Sequence, residues 1–250
     1  MQSYTRRQLK EDKFASTAKE AVHWASDHRR NVIYAVSAVL VIALAVVGYI
    51  FWNSRQTEQA SILLGKAAKT FSAQIRPAGN PAIPNEQSFS TIAERAKQAE
   101  KEFKAIADQF PHTKPGKFAR YMEGSAAMQA GETANAEKLL KSAADSGDKD
   151  VAPLAKVALA SLYIWSNRTG DAANIYKDLS DHPSNTVSKS QAQLLLAEMY
   201  ESTDPKLAAT IYQQVEKENP NTAAAQIARS KNPNPPPVPA PNPNPVNLPR

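Results

Sequence analysis

Residues 170–183 read GDAANIYKDLSDHP, and this short pattern decides the fold of the chain. Ala172, Tyr176 and Leu179 follow one another at spacings of four and three residues, which places them on one face of an α-helix. Gly170 and Pro183 mark the two ends of that helix. A small residue followed one turn later by a large one is typical of a helix that packs closely against a second helix.

The same pattern recurs along the chain. Ala136, Ala172 and Ala208 are separated by 36 residues each. The equivalent positions are Ala99, Phe103 and Ile106, then Ala136, Leu140 and Ala143, then Ala172, Tyr176 and Leu179, then Ala208, Tyr212 and Val215. A repeat near this length, with small and large residues on one helix face, is the tetratricopeptide pattern. It predicts an all-α solenoid of four helical hairpins, and a plain helical bundle is the alternative.

A second helix precedes each of these, with residues suited to a close crossing near its middle. These residues are Leu64, Gly65 and Ala68 for the first hairpin, then Gly124 and Ala127, then Ala160 and Tyr163, then Ala197 and Tyr200. Residues 76–88 hold three prolines and a glycine, so they predict a loop inside the first hairpin. Residues 221–230 predict a short helix that caps the last hairpin.

The stretch Val32–Trp52, VIYAVSAVLVIALAVVGYIFW, is apolar on every helical face and carries no charge. A helix of this length spans about 30 Å, the thickness of the hydrocarbon core of a bilayer. The stretch therefore predicts a single transmembrane helix ahead of the tetratricopeptide-like helical hairpin solenoid. A buried helix of a soluble protein and a cleaved signal peptide are the alternatives. The length of the run, and the absence of a small-residue cleavage site after it, favour an uncleaved signal anchor.

Charge predicts the orientation of this helix. Seven Lys or Arg side chains precede it, with His28 next to the last two, whereas only Arg55, Lys66 and Lys69 follow within twenty residues. The residues ahead of it are Arg6, Arg7, Lys10, Lys13, Lys19, His28, Arg29 and Arg30. Because Lys and Arg near a span are retained in the cytoplasm, we expect the amino terminus inside and the larger part outside.

Four segments follow from these patterns. Residues 1–31 form a basic cytosolic helical segment, 32–52 the transmembrane helix, 53–230 the repeat domain, and 231–250 a disordered Pro/Asn-rich tail. The apolar face of the first segment suits a membrane surface or a partner helix, or the segment is simply a solvated helix. The tail is a spacer, a ligand for a groove, or an unconstrained end. The transmembrane helix is expected to run on into the first helix of the repeats.

Composition and motifs predict no enzyme. The chain has no cysteine, which excludes disulfides and thiolate metal sites, and its four histidines lack the companions that a zinc site needs. No glycine-rich phosphate loop and no nucleophile elbow occur, so no cofactor is predicted. The net charge of +6 is spread among interleaved acidic and basic residues, which argues against nucleic acid as a partner.

The candidate functional feature is a peptide-binding groove. In a tetratricopeptide array the first helix of each hairpin lines the concave face, where an extended or helical peptide can bind. The residues that the repeat places there are Phe118, Tyr121, Ser125, Val157, Ser161, Trp165 and Gln193. Packing between repeats is the alternative role for Tyr121 and Trp165.

The layout resembles the YfgM-type ancillary subunit family of the SecYEG translocon. The resemblance rests on the basic amino-terminal helix, the span ending in GYIFWNSRQ, the continuing helix TEQASILLGKAAKTF and the degenerate repeats. It implies a single-pass protein of the bacterial inner membrane whose repeat domain faces the periplasm. Implied partners are translocon subunits, periplasmic chaperones or emerging chains. A structural scaffold for cell division or outer-membrane assembly is the alternative function.

Overall fold

The computed structural model describes Trp24 and residues 28–76 and 87–232. The elements are α1 (Arg29–Phe71), β1 (Gln74–Ile75), β2 (Ser88–Phe89), α2 (Ile92–Gln109), α3 (Lys114–Gln129), α4 (Thr133–Ala144), α5 (Val151–Trp165), α6 (Thr169–Asp181), α7 (Lys189–Tyr200), α8 (Pro205–Glu218) and α9 (Ala223–Lys231). The predictions for most of residues 1–31, for the middle of the proline-rich loop and for the tail lie outside the described residues.

The apolar stretch lies in α1, a continuous helix of 43 residues. It is long and apolar enough to cross a membrane, with a mean hydropathy of 2.5 over its most apolar window and none of that window buried. The large side chains from Ile33 to Trp52 are exposed, among them Leu44 at 68%. The chain divides into two compact units, Met1–Gln56 and Thr57–Arg250, and the repeats belong to the second.

The second unit is built of helical hairpins, as the repeat predicts. From α2 onward, each helix packs against the next one in the chain. All twelve repeat positions named above on α2, α4, α6 and α8 are buried, none more than 3% exposed. Their largest members, Phe103, Leu140, Tyr176 and Tyr212, fill the space between helices. The prediction of an all-α, tetratricopeptide-like fold is confirmed.

The crossing of α3 and α4 shows why a small residue is needed. A Cβ added at Gly124 on α3 would lie 2.9 Å from two side-chain carbons of Leu140 and 3.2 Å from its backbone nitrogen. Leu140 is fully buried, so it has no room to move away. Packing of α3 against α4 therefore requires glycine at this position.

The prediction for the first hairpin is wrong for two of its three residues, whereas Leu64 is partly buried and packs on the core. Gly65 and Ala68 were assigned to the crossing, yet both are exposed, and a Cβ at Gly65 would meet no atom within 4 Å. Ala60 and Ala67 are the small residues of α1 that are buried, in a cluster with Phe103. An unbroken helix has no turn from which the sequence could fix the phase of its buried face.

Two short strands were not predicted. β1 and β2 pair in parallel, with Gln74 opposite Ser88 and Ile75 opposite Phe89. The Arg76 amide extends the pairing by donating to the Phe89 carbonyl over 2.8 Å. Strands of two residues each leave no period for sequence analysis to detect. The pair joins the two ends of the loop that connects α1 to α2.

We expect Gly124→Ala to destabilise the protein by about 1–3 kcal/mol, because the added methyl group overpacks a filled crossing. Gly65→Ala is the matched control. It should leave the free energy of unfolding unchanged or raise it by up to about 1 kcal/mol, because alanine favours an exposed helix interior. Urea unfolding of both variants in detergent micelles, followed by circular dichroism, measures the difference. Equal effects of the two substitutions would contradict the assigned crossing.

Candidate functional site

Helices α3 and α5 present equivalent residues in the same register. Tyr121 and Ser125 on α3 correspond to Val157 and Ser161 on α5, 36 residues later. Ser125 Oγ donates to the Tyr121 carbonyl over 3.2 Å, and Ser161 Oγ donates to the Val157 carbonyl over 3.1 Å. The two helices also contact each other. These first helices of two successive hairpins therefore form one continuous surface.

Exposure differs strongly along this surface. Phe118 and Tyr121 lie against each other with their ring centroids 5.4 Å apart, and both are partly buried. Tyr121 and Val157 also pack on the hydrophobic core, so part of each side chain serves the fold. Trp165, at the end of α5, is 72% exposed. It is the side chain of the predicted set that offers the most area to a partner.

Gln193 does not lie on the exposed surface. It is only 5% exposed, and its amide interacts with the Glu218 carboxylate on α8. The connection between α6 and α7 contains seven residues, whereas the equivalent connection between α4 and α5 contains six. The extra residue shifts α7 by one position, so Leu194, which is partly exposed, takes the place predicted for Gln193.

We use the name groove face for the partly or largely exposed members of this surface. They are Phe118, Tyr121, Ser125, Val157, Ser161, Trp165 and Leu194. Sequence reasoning missed Leu194, although the longer connection ahead of α7 contained the signal for it.

Tyr176 connects α5 with α7 beneath the groove face. Its side chain interacts with the Ser161 hydroxyl and lies near the Glu198 carboxylate, which is one turn beyond Leu194. Burial raises the pKa of Tyr176, the negative charge of Glu198 raises it further, and the Ser161 hydrogen bond opposes both. Because this phenol stays neutral, it can bridge the two helices without a buried charge.

A second network holds the turn that follows Trp165. Glu137 on α4 accepts hydrogen bonds from Tyr163 Oη over 3.1 Å and from Arg168 Nη1 over 3.0 Å, and Lys141 Nζ lies 2.7 Å from it. The Arg168 guanidinium lies 4.0 Å from the centroid of the Tyr163 ring. Hydrogen bonds from Lys141, Arg168 and Tyr163 lower the pKa of Glu137 to about 2. This network fixes the position of Trp165 relative to α4.

The described residues hold no evident chemistry of another kind. Within residues 28–76 and 87–232, no group of three or more His, Asp or Glu side chains is arranged to hold a metal ion. His182 lies 3.1 Å from Asp178 on the same helix, which is an ordinary surface contact. A cleft of about 600 Å³ between α1 and α2 is lined by Leu63, Ala67 and Ile106, away from the groove face.

Comparison with known families agrees with this architecture. A family model described as a tetratricopeptide repeat-like domain matches residues 22–175, more than half of the chain. The chain belongs to the tetratricopeptide repeat-like family. No curated protein matches it. The family match begins ahead of α1 and ends in α6, so it includes both the apolar helix and the groove-face residues of α3 and α5. Domains of this family are generally interaction modules without catalysis.

We expect Glu137→Gln to cost about 1 kcal/mol of stability at pH 7, as for a partly exposed ion pair. The pKa of Glu137 in the folded state lies below its ordinary value of 4.5, so its stabilisation is present above pH 4.5 and is lost as the pH falls toward 2. The difference from the unsubstituted protein should therefore shrink between pH 7 and pH 3. Urea unfolding at both values measures it.

Asp181→Asn, at an exposed position at the end of α6, is the control for a changed carboxylate outside this network. A Glu137→Gln effect that is the same at both pH values would contradict the assigned role of the network.

Proposed function

We propose that the protein is a membrane-anchored interaction module that faces the periplasm and assists translocation at the Sec translocon. In this role the groove face holds emerging chains or recruits periplasmic chaperones. The observation that carries the proposal is the family match at residues 22–175, which encloses both an apolar helix long enough to cross a membrane and tetratricopeptide-like repeats. A chain that joins a binding surface to such a helix is suited to binding partners at a membrane.

Two further observations support the proposal. Basic residues are concentrated ahead of the apolar stretch, which favours a cytoplasmic amino terminus and places the repeats on the other side. The groove face is mainly apolar and aromatic, with Trp165 its most exposed member. Aromatic side chains of this kind are frequent anchors in protein interfaces. An apolar surface also suits segments that are not yet folded.

A structural scaffold for an envelope complex is the second candidate function. The proline-rich residues 231–250 are a spacer, a ligand for a groove or an unconstrained end, and the first two of these roles favour this candidate. Removal of residues 233–250 separates the two functions. The scaffold role predicts loss of localisation, whereas the translocon role predicts that localisation is kept.

Photo-crosslinking tests the partner. A photoreactive amino acid at Trp165 or Tyr121 should capture emerging secreted chains, translocon subunits or periplasmic chaperones in living cells. Lys138, which is exposed on α4 and outside the groove face, is the control position. Crosslinks to these partners should be several-fold stronger from the groove face than from Lys138. Equal labelling from the three positions would exclude the groove face as the binding surface.

Reporter fusions test the orientation. An enzyme that is active only in the periplasm should be active when it is fused after Ser230 of the full span-containing chain. The same reporter fused after Asp27, ahead of the apolar stretch, should be inactive, because no segment would carry it across the membrane. The reverse pattern of activity would overturn the proposed orientation.

A further inference from the structure

The last described residues, Lys231 and Asn232, lie at the edge of the groove face. Lys231, at the end of α9, places its Nζ 2.7 Å from Glu198 Oε1 and 3.9 Å from Glu201 Oε1, both at the end of α7. Glu198 follows Leu194 of the groove face by one helical turn. The described part of the chain therefore ends beside this surface, at Asn232.

A short path connects this point with Trp165. Glu198 lies near Tyr176, which interacts with Ser161, and Trp165 follows Ser161 by one turn of α5. Two steps between neighbouring helices at 8–10 Å each amount to roughly 20 Å. A polyproline helix rises about 3.1 Å per residue, so the 18 residues from 233 to 250 can reach about 56 Å. The segment is long enough to cross the groove face and pass Trp165.

The chemistry of the two surfaces is complementary. Residues 233–250, PNPPPVPAPNPNPVNLPR, hold nine prolines and carry one charged side chain, Arg250. Proline-rich segments favour the polyproline conformation before they bind, and they are recognised by grooves lined with aromatic side chains. The groove face offers Phe118, Tyr121 and the 72% exposed Trp165. Ile227 on α9, 46% exposed, adds an apolar side chain close to where the segment begins.

We propose that residues 233–250 bind back onto the groove face of the same molecule, with prolines packed against Trp165. A tethered ligand of this length acts at an effective concentration in the millimolar range, so a weak contact is enough to occupy the surface. The segment is then a built-in competitor that an external chain must displace. This proposal goes beyond the function proposed above and does not depend on the translocon.

Quenching of tryptophan fluorescence tests this intramolecular contact. In the full chain in detergent micelles, Trp24→Phe and Trp52→Phe leave Trp165 as the single tryptophan, which can be excited selectively over tyrosine. Acrylamide should quench Trp165 at least about twofold more efficiently after residues 233–250 are removed, because the tethered segment that covers Trp165 is then absent. A synthetic peptide of residues 233–250, added to the shortened protein, should lower the quenching again.

A matched variant keeps the length of the segment and replaces its nine prolines with serine. Its quenching should equal that of the shortened protein, because the pre-formed polyproline conformation is lost. Equal quenching of Trp165 in the full and shortened proteins would overturn the proposal. Protection of Trp165 that grows with protein concentration would also overturn it, because the occupant would then be a second copy. The purified protein suffices, so the outcome is independent of where the protein works in the cell.

Discussion

The close approach of paired helices is the constraint on which this structure depends. At Gly124 the backbone of α3 lies so near Leu140 that even a methyl group would overlap with it. Ala136, Ala172 and Ala208 are completely or almost completely buried, and they allow the later hairpins to pack closely in the same way. Because small residues allow the paired helices to approach each other closely, the large residues next to them can fill the space between hairpins.

This division of roles explains why a binding surface is available at all. The second helices of the hairpins supply five of the six largest fully buried side chains among the described residues, so the first helices can keep apolar residues partly exposed without weakening the core. Polar contacts then fix the positions of these helices. Tyr176 lies close to Ser161 and Glu198, while Glu137 holds Tyr163 and Arg168 on either side of Trp165. The exposed ring therefore belongs to a rigid setting, which suits selective contact with a partner.

Sequence reasoning predicted well those segments in which apolar residues recur at helical spacing. The twelve repeat positions on the second helices were all correct, because each depends on its neighbours one turn away. The errors lie where a period is interrupted or absent. Gln193 is misplaced because one extra residue in the α6–α7 connection changes the phase of α7, and Gly65 because α1 has no turn to set its phase. Pairing between β1 and β2 joins residues far apart in the chain and leaves no local signal. Predictions of partner and compartment depend on resemblance and charge, and they stay predictions.

The pair of strands between α1 and α2 has a consequence for engineering the protein. Since Ile75 is held opposite Phe89, the two ends of the intervening loop are joined whatever its length. Doubling the length of a loop costs only about 0.6 kcal/mol in closure entropy. An affinity tag or a small fluorescent domain placed between residues 77 and 86 would therefore leave the hairpins intact. The molecule could then be followed in cells with both of its termini unaltered.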